Sequence, residues 1–225
     1  MLTRKNYWQR LWLQLNSNWF AKAIAILGLL ILATPASAHH PLDGRLPANF
    51  FEGIMSGLGH PVIGFDHLAF VVASGLIALK ITGGILIPTA FVIATGIGAG
   101  IHLVAIDLPI PEIAIAASVI LFGILLITKS KHKKSISYAL KIAALATLAG
   151  IFHGFAYGEG IFGAEPTPLL AYLIGFMAIQ LAISLGTYFM ATQAIKSIPV
   201  KYLTRFAGGA IASCGIVFLS SAILG

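Results

Sequence analysis

The stretch HPVIGFDHLAFVVASGLIALKI, residues 60–81, decides how this chain is read. Its later part is almost wholly apolar, and with its first residues it reaches the length of about 20 residues that a helix needs to cross a bilayer. The opening run, His60-Pro61-Val62-Ile63-Gly64-Phe65-Asp66-His67, puts two imidazoles and a carboxylate where a bilayer favours hydrocarbon. An Asp at the centre of a spanning helix costs about 2.5 to 3.5 kcal/mol, so such a residue is held by a partner, a cavity or an ion. The run therefore reads both as the start of a span and as a candidate site.

The rest of the chain agrees with a membrane setting. Of 225 residues, 58% are hydrophobic and 9% charged, and the mean hydropathy is +0.95. That composition lies outside the range of soluble domains and implies an all-α, polytopic membrane bundle in contact with lipid. The net charge of +7 sits in short basic blocks between apolar runs, the pattern of cytoplasmic loops, so no nucleic-acid partner is expected. Cys214 is the single cysteine, which excludes an intrachain disulfide and a thiolate metal centre. Metal ligands in this chain would be nitrogen and oxygen.

At the start, Arg4, Lys5, Arg10 and Lys22 precede an apolar core at 23–34 and the small-residue sequence Pro35-Ala36-Ser37-Ala38. A core of about 12 residues is too short to span, and the pattern reads as a cleavable signal peptide, residues 1–38, with a retained anchor helix as the alternative. Cleavage after Ala38 would leave His39-His40-Pro41 at the mature N-terminus. The α-amine and two imidazoles there could capture a divalent cation or form an ordinary tail. Residues 39–225 then hold an amphipathic piece at 48–59 and six spans, at 61–81, 84–105, 111–128, 136–157, 168–191 and 203–224. Pro88 is expected to loosen the second span. Gly96-x-x-x-Gly100 and Gly154-x-x-x-Gly158 allow close helix approach, chiefly within one chain, and leave room for a homo-oligomer.

Charge sets the orientation. Lys80 follows the first span, Lys129, Lys131, Lys133, Lys134 and Lys141 cluster around the third connection, and Lys196, Lys201 and Arg205 around the fifth. The opposite connections carry Asp107, Glu112, Glu159 and Glu165 and no Lys or Arg. The basic side is cytoplasmic, which places a multi-pass protein in the cytoplasmic (inner) membrane with its mature N-terminus and its C-terminus outside.

In that orientation the polar residues gather at one depth. His60, Asp66 and His67 lie about 10 Å into the outer half, with His102, Glu112, His153 and Glu159 at the outer ends of their own spans; His132 falls in the basic loop. His60 and His67 are seven residues apart, two helical turns, so one continuous helix would present both on one face with Gly64 between them. Asp66 would turn about 100° away, either reaching the same ion or orienting a ligating imidazole. Any one of these residues alone could be a buried polar group joining helices, but together they predict a cation site. Imidazole with carboxylate suits Ni, Co, Zn or Mn better than Ca, and the lack of a Cys or Met cluster argues against Cu(I).

The run His60-Pro61-x-x-Gly64-x-Asp66-His67, with Glu112 and His153-Gly154, resembles the HupE/UreJ family of nickel and cobalt permeases, and the resemblance spans about residues 39–225. It implies a six-helix permease domain in which His60, Asp66 and His67 recognise and pass Ni²⁺ or Co²⁺, with Glu112 and the polar residues of the fourth span completing the route. The family's fourth span commonly reads His-Gly-x-Ala-His-Gly-x-Glu. Here Tyr157 stands at the second His and Gly160 at the Glu, with Glu159 one residue earlier. No Gly-x-x-x-x-Gly-Lys-Ser/Thr run is present, so neither an intrinsic ATPase nor an ATPase subunit is indicated. The expectation is a transporter without a resident cofactor and not an enzyme. Two other classes fit the same residues. One is a membrane zinc hydrolase, with His60, His67 and His153 on the metal and Asp66 or Glu159 activating water; the other is a b-type haem carrier.

Overall fold

The computed structural model describes residues 45–128, 135–197 and 199–224, and these are helices and short connections with no strand among them. In chain order the helices are α1 (Phe50–Ile63), α2 (Phe65–Lys80), α3 (Leu86–Leu103), α4 (Pro111–Ile127), α5 (Ile136–Glu159), α6 (Pro166–Ala194) and α7 (Val200–Leu224). By length and composition α3, α5, α6 and α7 can each cross a membrane, and α1 with α2 adds a fifth candidate if the bent pair is one span. α4 has 17 residues, about 26 Å of helix against a hydrocarbon core of about 30 Å. The helices from α2 to α7 coincide with the six apolar runs to within a few residues. The proposed signal peptide, His39, His40, His132 and the Lys129, Lys131, Lys133 and Lys134 block lie outside the described residues.

One expectation is corrected at the most informative place. Residues 60–81 are not one straight helix: α1 and α2 meet at Gly64 with a bend of 79°. Gly64 is extended, at φ −73° and ψ 99°. Its N–H donates to the His60 carbonyl and its own carbonyl accepts from Leu68 N, so one helix closes and the next opens on the same residue. Pro61 lies inside the last turn of α1 and cannot donate a main-chain hydrogen bond, which weakens the helix just before the break. A Cβ on Gly64 would stand 2.7 Å from His67 Cδ2, so the imidazole folds over the one residue that leaves it room. α1 begins with equal definition: Asn49 Oδ1 accepts from Glu52 N, Ala48 N donates to Glu52 Oε2, and Arg45 pairs with Glu52 at 2.7 Å.

Two smaller expectations are also corrected. Pro88 is the third residue of α3, within the first turn where a main-chain donor has no helical acceptor, so it does not loosen the span. Close approach of α3 to α5 runs through Gly98, Gly150, Gly154 and Gly158; a Cβ on Gly154 would run into the Thr95 backbone and one on Gly98 into that of Ile151. Gly96 meets only the Met177 side chain, and nothing lies against Gly100.

α2 is the central element, touching α1, α3, α4, α6 and α7. Its Phe70 stacks on Phe91 of α3 and packs at a tilt against Phe122 of α4, with ring centroids 4.5 and 4.4 Å apart. At its far end Lys80 Nζ donates to the carbonyls of Leu125, Leu126 and Thr128 at 3.0, 2.6 and 3.3 Å. This ammonium satisfies acceptors at the C-terminus of α4 and shows that α2 and α4 run the same way. Large apolar side chains such as Ile93, Leu148, Leu170 and Met190 point outward, as expected of a lipid-facing surface.

Candidate functional site

The bend at Gly64 creates the site. His60, at the end of α1, and His67, at the start of α2, face each other across the break with ring centroids 6.2 Å apart. They are therefore not side by side on one helix face, as a continuous helix would have required. His153 comes from α5, and its Nδ1 lies 2.8 Å from His67 Nδ1. All three imidazoles are buried. Tyr157, one turn after His153, packs between the first two, with centroids 5.0 Å from His60 and 4.5 Å from His67.

The hydrogen-bond network assigns the protons. Ser118 Oγ donates to the Ile115 carbonyl at 2.7 Å, so at 3.0 Å it accepts from His153 Nε2–H. A neutral imidazole protonated on Nε2 has its lone pair on Nδ1, and His67 Nδ1–H is then the donor between the two rings. On the other side, Tyr172 Oη donates to the Tyr157 carbonyl at 2.9 Å and accepts from His60 Nδ1–H at 2.6 Å. His60 and His67, when neutral, are thus both protonated on Nδ1. For His153, the bond from Nε2–H to Ser118 fixes one ring nitrogen and turns the other toward His67, which is how proteins orient metal-binding histidines.

The other candidates are distributed around this centre. Asp66 Oδ1 accepts from His67 N at 2.8 Å, taking a main-chain donor at the start of α2 with a carboxylate that also suits the helix dipole. His102, in the last turn of α3, packs its ring against Phe155 and Phe162 at 4.5 and 5.6 Å and lies beside Gly158. Its Nδ1 is buried without a hydrogen-bond partner among the described residues. Glu112 and Glu159 are exposed, in the first turn of α4 and at the end of α5. Among the described residues no group of three or more His, Cys, Asp or Glu side chains is placed so that it could hold a metal ion. The structure thus brings His67 and His153 into contact with His60 next to them. It leaves His102, Glu112 and Glu159 at the rim of the same end.

Known sequences supply the remaining link. The family model for the HupE / UreJ protein matches residues 27–218. The chain belongs to the HupE/UreJ family. It is also 30% identical over 205 residues to "Protein HupE" of Rhizobium leguminosarum bv. viciae, covering 89% of this chain and 98% of that one. No solved structure matches it.

In this HupE/UreJ chain, sequence reasoning did not single out the residues that hold the imidazoles, Ser118 and Tyr172. Each had a visible signal, a hydroxyl inside an apolar run. Hydroxyls are tolerated there by bonding to their own helix, as Thr147 and Ser220 do, so a reach across to another helix is not legible one helix at a time. Gly160 makes room for the same arrangement: a Cβ there would come 2.9 Å from His60 Cε1 and 3.7 Å from Tyr172 Oη.

Proposed function

We propose that the chain is a secondary permease that takes Ni²⁺ or Co²⁺ inward across the cytoplasmic membrane. In this reading it has six spans, with α1 and α2 forming the first as a broken helix, and both mature termini outside after loss of residues 1–38. His60, His67 and His153 are the nitrogen donors. Asp66 stands beside them as a carboxylate, and His102, Glu112 and Glu159 serve the outer approach. The observation that carries the proposal is the meeting of three buried imidazoles from α1, α2 and α5 in a family-defined membrane bundle.

The spacing suits the cargo. Two nitrogens held side by side on one six-coordinate ion, at bond lengths of about 2.1 Å, stand roughly 3 Å apart, close to the 2.8 Å between His67 and His153 Nδ1. For a cation to take the place of the proton between those atoms, His67 must carry its ring proton on Nε2 instead of Nδ1, because imidazole coordinates only through a lone pair. Protonation of either ring to imidazolium removes that lone pair and offers a way to let the ion go. Inward movement of two charges at 100 mV, inside negative, is worth about 4.6 kcal/mol, so the membrane potential alone can drive accumulation.

Flux of Ni²⁺, Co²⁺ and Zn²⁺ into proteoliposomes tests the reading. Uptake of Ni²⁺ or Co²⁺ by the parent, lost at least tenfold in folded His67→Ala and His153→Ala proteins, is the expected result. Full selective uptake by both variants would reject the site, and no uptake of any of the three ions by the parent would reject the permease.

A further inference from the structure

Below the histidines the bundle contains a second polar tier, made of uncharged groups. Ser74 of α2, Thr95 of α3 and Gln180 and Ser184 of α6 are each 0% exposed. Gln180 is the fifteenth of the 29 residues of α6, close to mid-membrane. Along α6 it lies eight residues beyond Tyr172, the partner of His60, which is about 12 Å of helix. Ser74 lies seven residues beyond His67 on α2, about 10 Å. Both descend from the histidine end, so the tier sits beneath the site on the way to the opposite side.

The amide of Gln180 has a fixed orientation. The atom 3.0 Å from the Phe176 carbonyl must be the nitrogen, since an oxygen there would face another acceptor. The same nitrogen donates to Thr95 Oγ1 at 3.3 Å. Thr95 passes its own hydroxyl proton to the Val92 carbonyl at 2.7 Å. Gln180 Oε1 is left fully buried with no hydrogen-bond partner among the described residues. One turn further along the same face, Ser184 and Ser74 both direct their hydroxyl protons to the Val71 carbonyl, at 3.2 and 2.7 Å, with their oxygens 3.2 Å apart. Both serine oxygens retain lone pairs. The tier is therefore a set of neutral oxygen acceptors in a low-dielectric interior, with its donors already committed to the protein.

An unsatisfied carbonyl in a membrane interior is costly, and a bare divalent cation there is far more so. The two deficits offset each other. We infer that Gln180, with Ser74 and Ser184, forms a mid-membrane waypoint that receives the divalent cation, still carrying part of its water shell, after it leaves the histidines. This rests on the permease reading. Neutral oxygens suit such a role because they are weak donors for Ni²⁺ and Co²⁺ compared with imidazole: they lower the barrier to passage without holding the ion. The tier should therefore govern the rate of transport and leave binding at the histidines unchanged.

The test compares purified full-length parent and Gln180→Leu protein, measuring Ni²⁺ and Co²⁺ binding in detergent and flux in proteoliposomes. The inference expects metal affinity within twofold of the parent and a maximal uptake rate at least tenfold lower. If the parent transports either ion and Gln180→Leu transports it equally fast, the amide serves packing or a buried water only; the waypoint is overturned while the permease stands. If the parent transports neither ion, both fall. Should Gln180→Leu fail to fold, the double variant Ser74→Ala, Ser184→Ala decides. A rate at least threefold lower at unchanged affinity supports the tier, and an unchanged rate overturns it.

Discussion

Ser118 shows how one hydroxyl can set the chemistry of a distant ring. Its proton is committed within α4 to Ile115, which makes it an acceptor for His153 Nε2–H and thereby turns the His153 lone pair toward His67. Removing the oxygen leaves a buried N–H without a partner, at a cost of about 1–3 kcal/mol. It also frees the His153 tautomer, and losing such an orienting partner costs metal affinity about 10–100-fold. Ser118→Ala is therefore expected to unfold at lower temperature and to bind Ni²⁺ and Co²⁺ at least tenfold more weakly, by calorimetry in detergent. Affinity equal to the parent would show that the hydroxyl is a bystander. The histidines themselves were legible in sequence, because an ionisable residue in an apolar run always needs an explanation. Ser118 and Tyr172 were not, since a hydroxyl in a span is ordinarily satisfied by its own helix and reveals its partner only when the helices are packed.

Among the elements, boundaries could be read and geometry could not. The limits of α3 to α7 followed from apolar runs ended by Pro, Gly or charged residues. The break at Gly64 was hidden because Pro61 and Gly64 are both tolerated within spanning helices, and it shows only in the extended backbone of Gly64 and the 79° bend around it. The packing register of α3 against α5 was hidden for a similar reason. The small-residue pattern points to Gly96 and Gly100, yet it is Gly98 between them that faces the Ile151 backbone, while Gly154 faces Thr95. Gly154→Ala would push the two helices apart beside His153, an overpacking worth about 1–3 kcal/mol, and Gly100→Ala would meet nothing. The expected outcome is a lower unfolding midpoint for the first variant and no change for the second, by thermal denaturation in detergent. Equal midpoints would contradict the assigned interface.

At the scale of the whole molecule, the two ends of the bundle differ in chemistry. The histidines, Asp66, His102, Glu112 and Glu159 occupy one end. At the other, Lys80 ties α2 to the C-terminus of α4, and Lys201 and Arg205 open α7. In the proposed orientation the basic end faces the cytoplasm, and the force of the membrane potential on a cation points the same way. For the proposed permease, only this orientation would present the imidazoles to external metal and let the potential pull a bound ion past Gln180. The inverse orientation would make the same bundle an exporter working against the potential. Asp107 and Lys196 are exposed at opposite ends, and replacing Cys214 with Ser removes the single native thiol. In that background, Asp107→Cys is expected to react with a membrane-impermeant maleimide on intact cells, and Lys196→Cys only after permeabilisation. The opposite pattern would reverse the direction of transport inferred from the charge distribution while leaving the histidine geometry untouched.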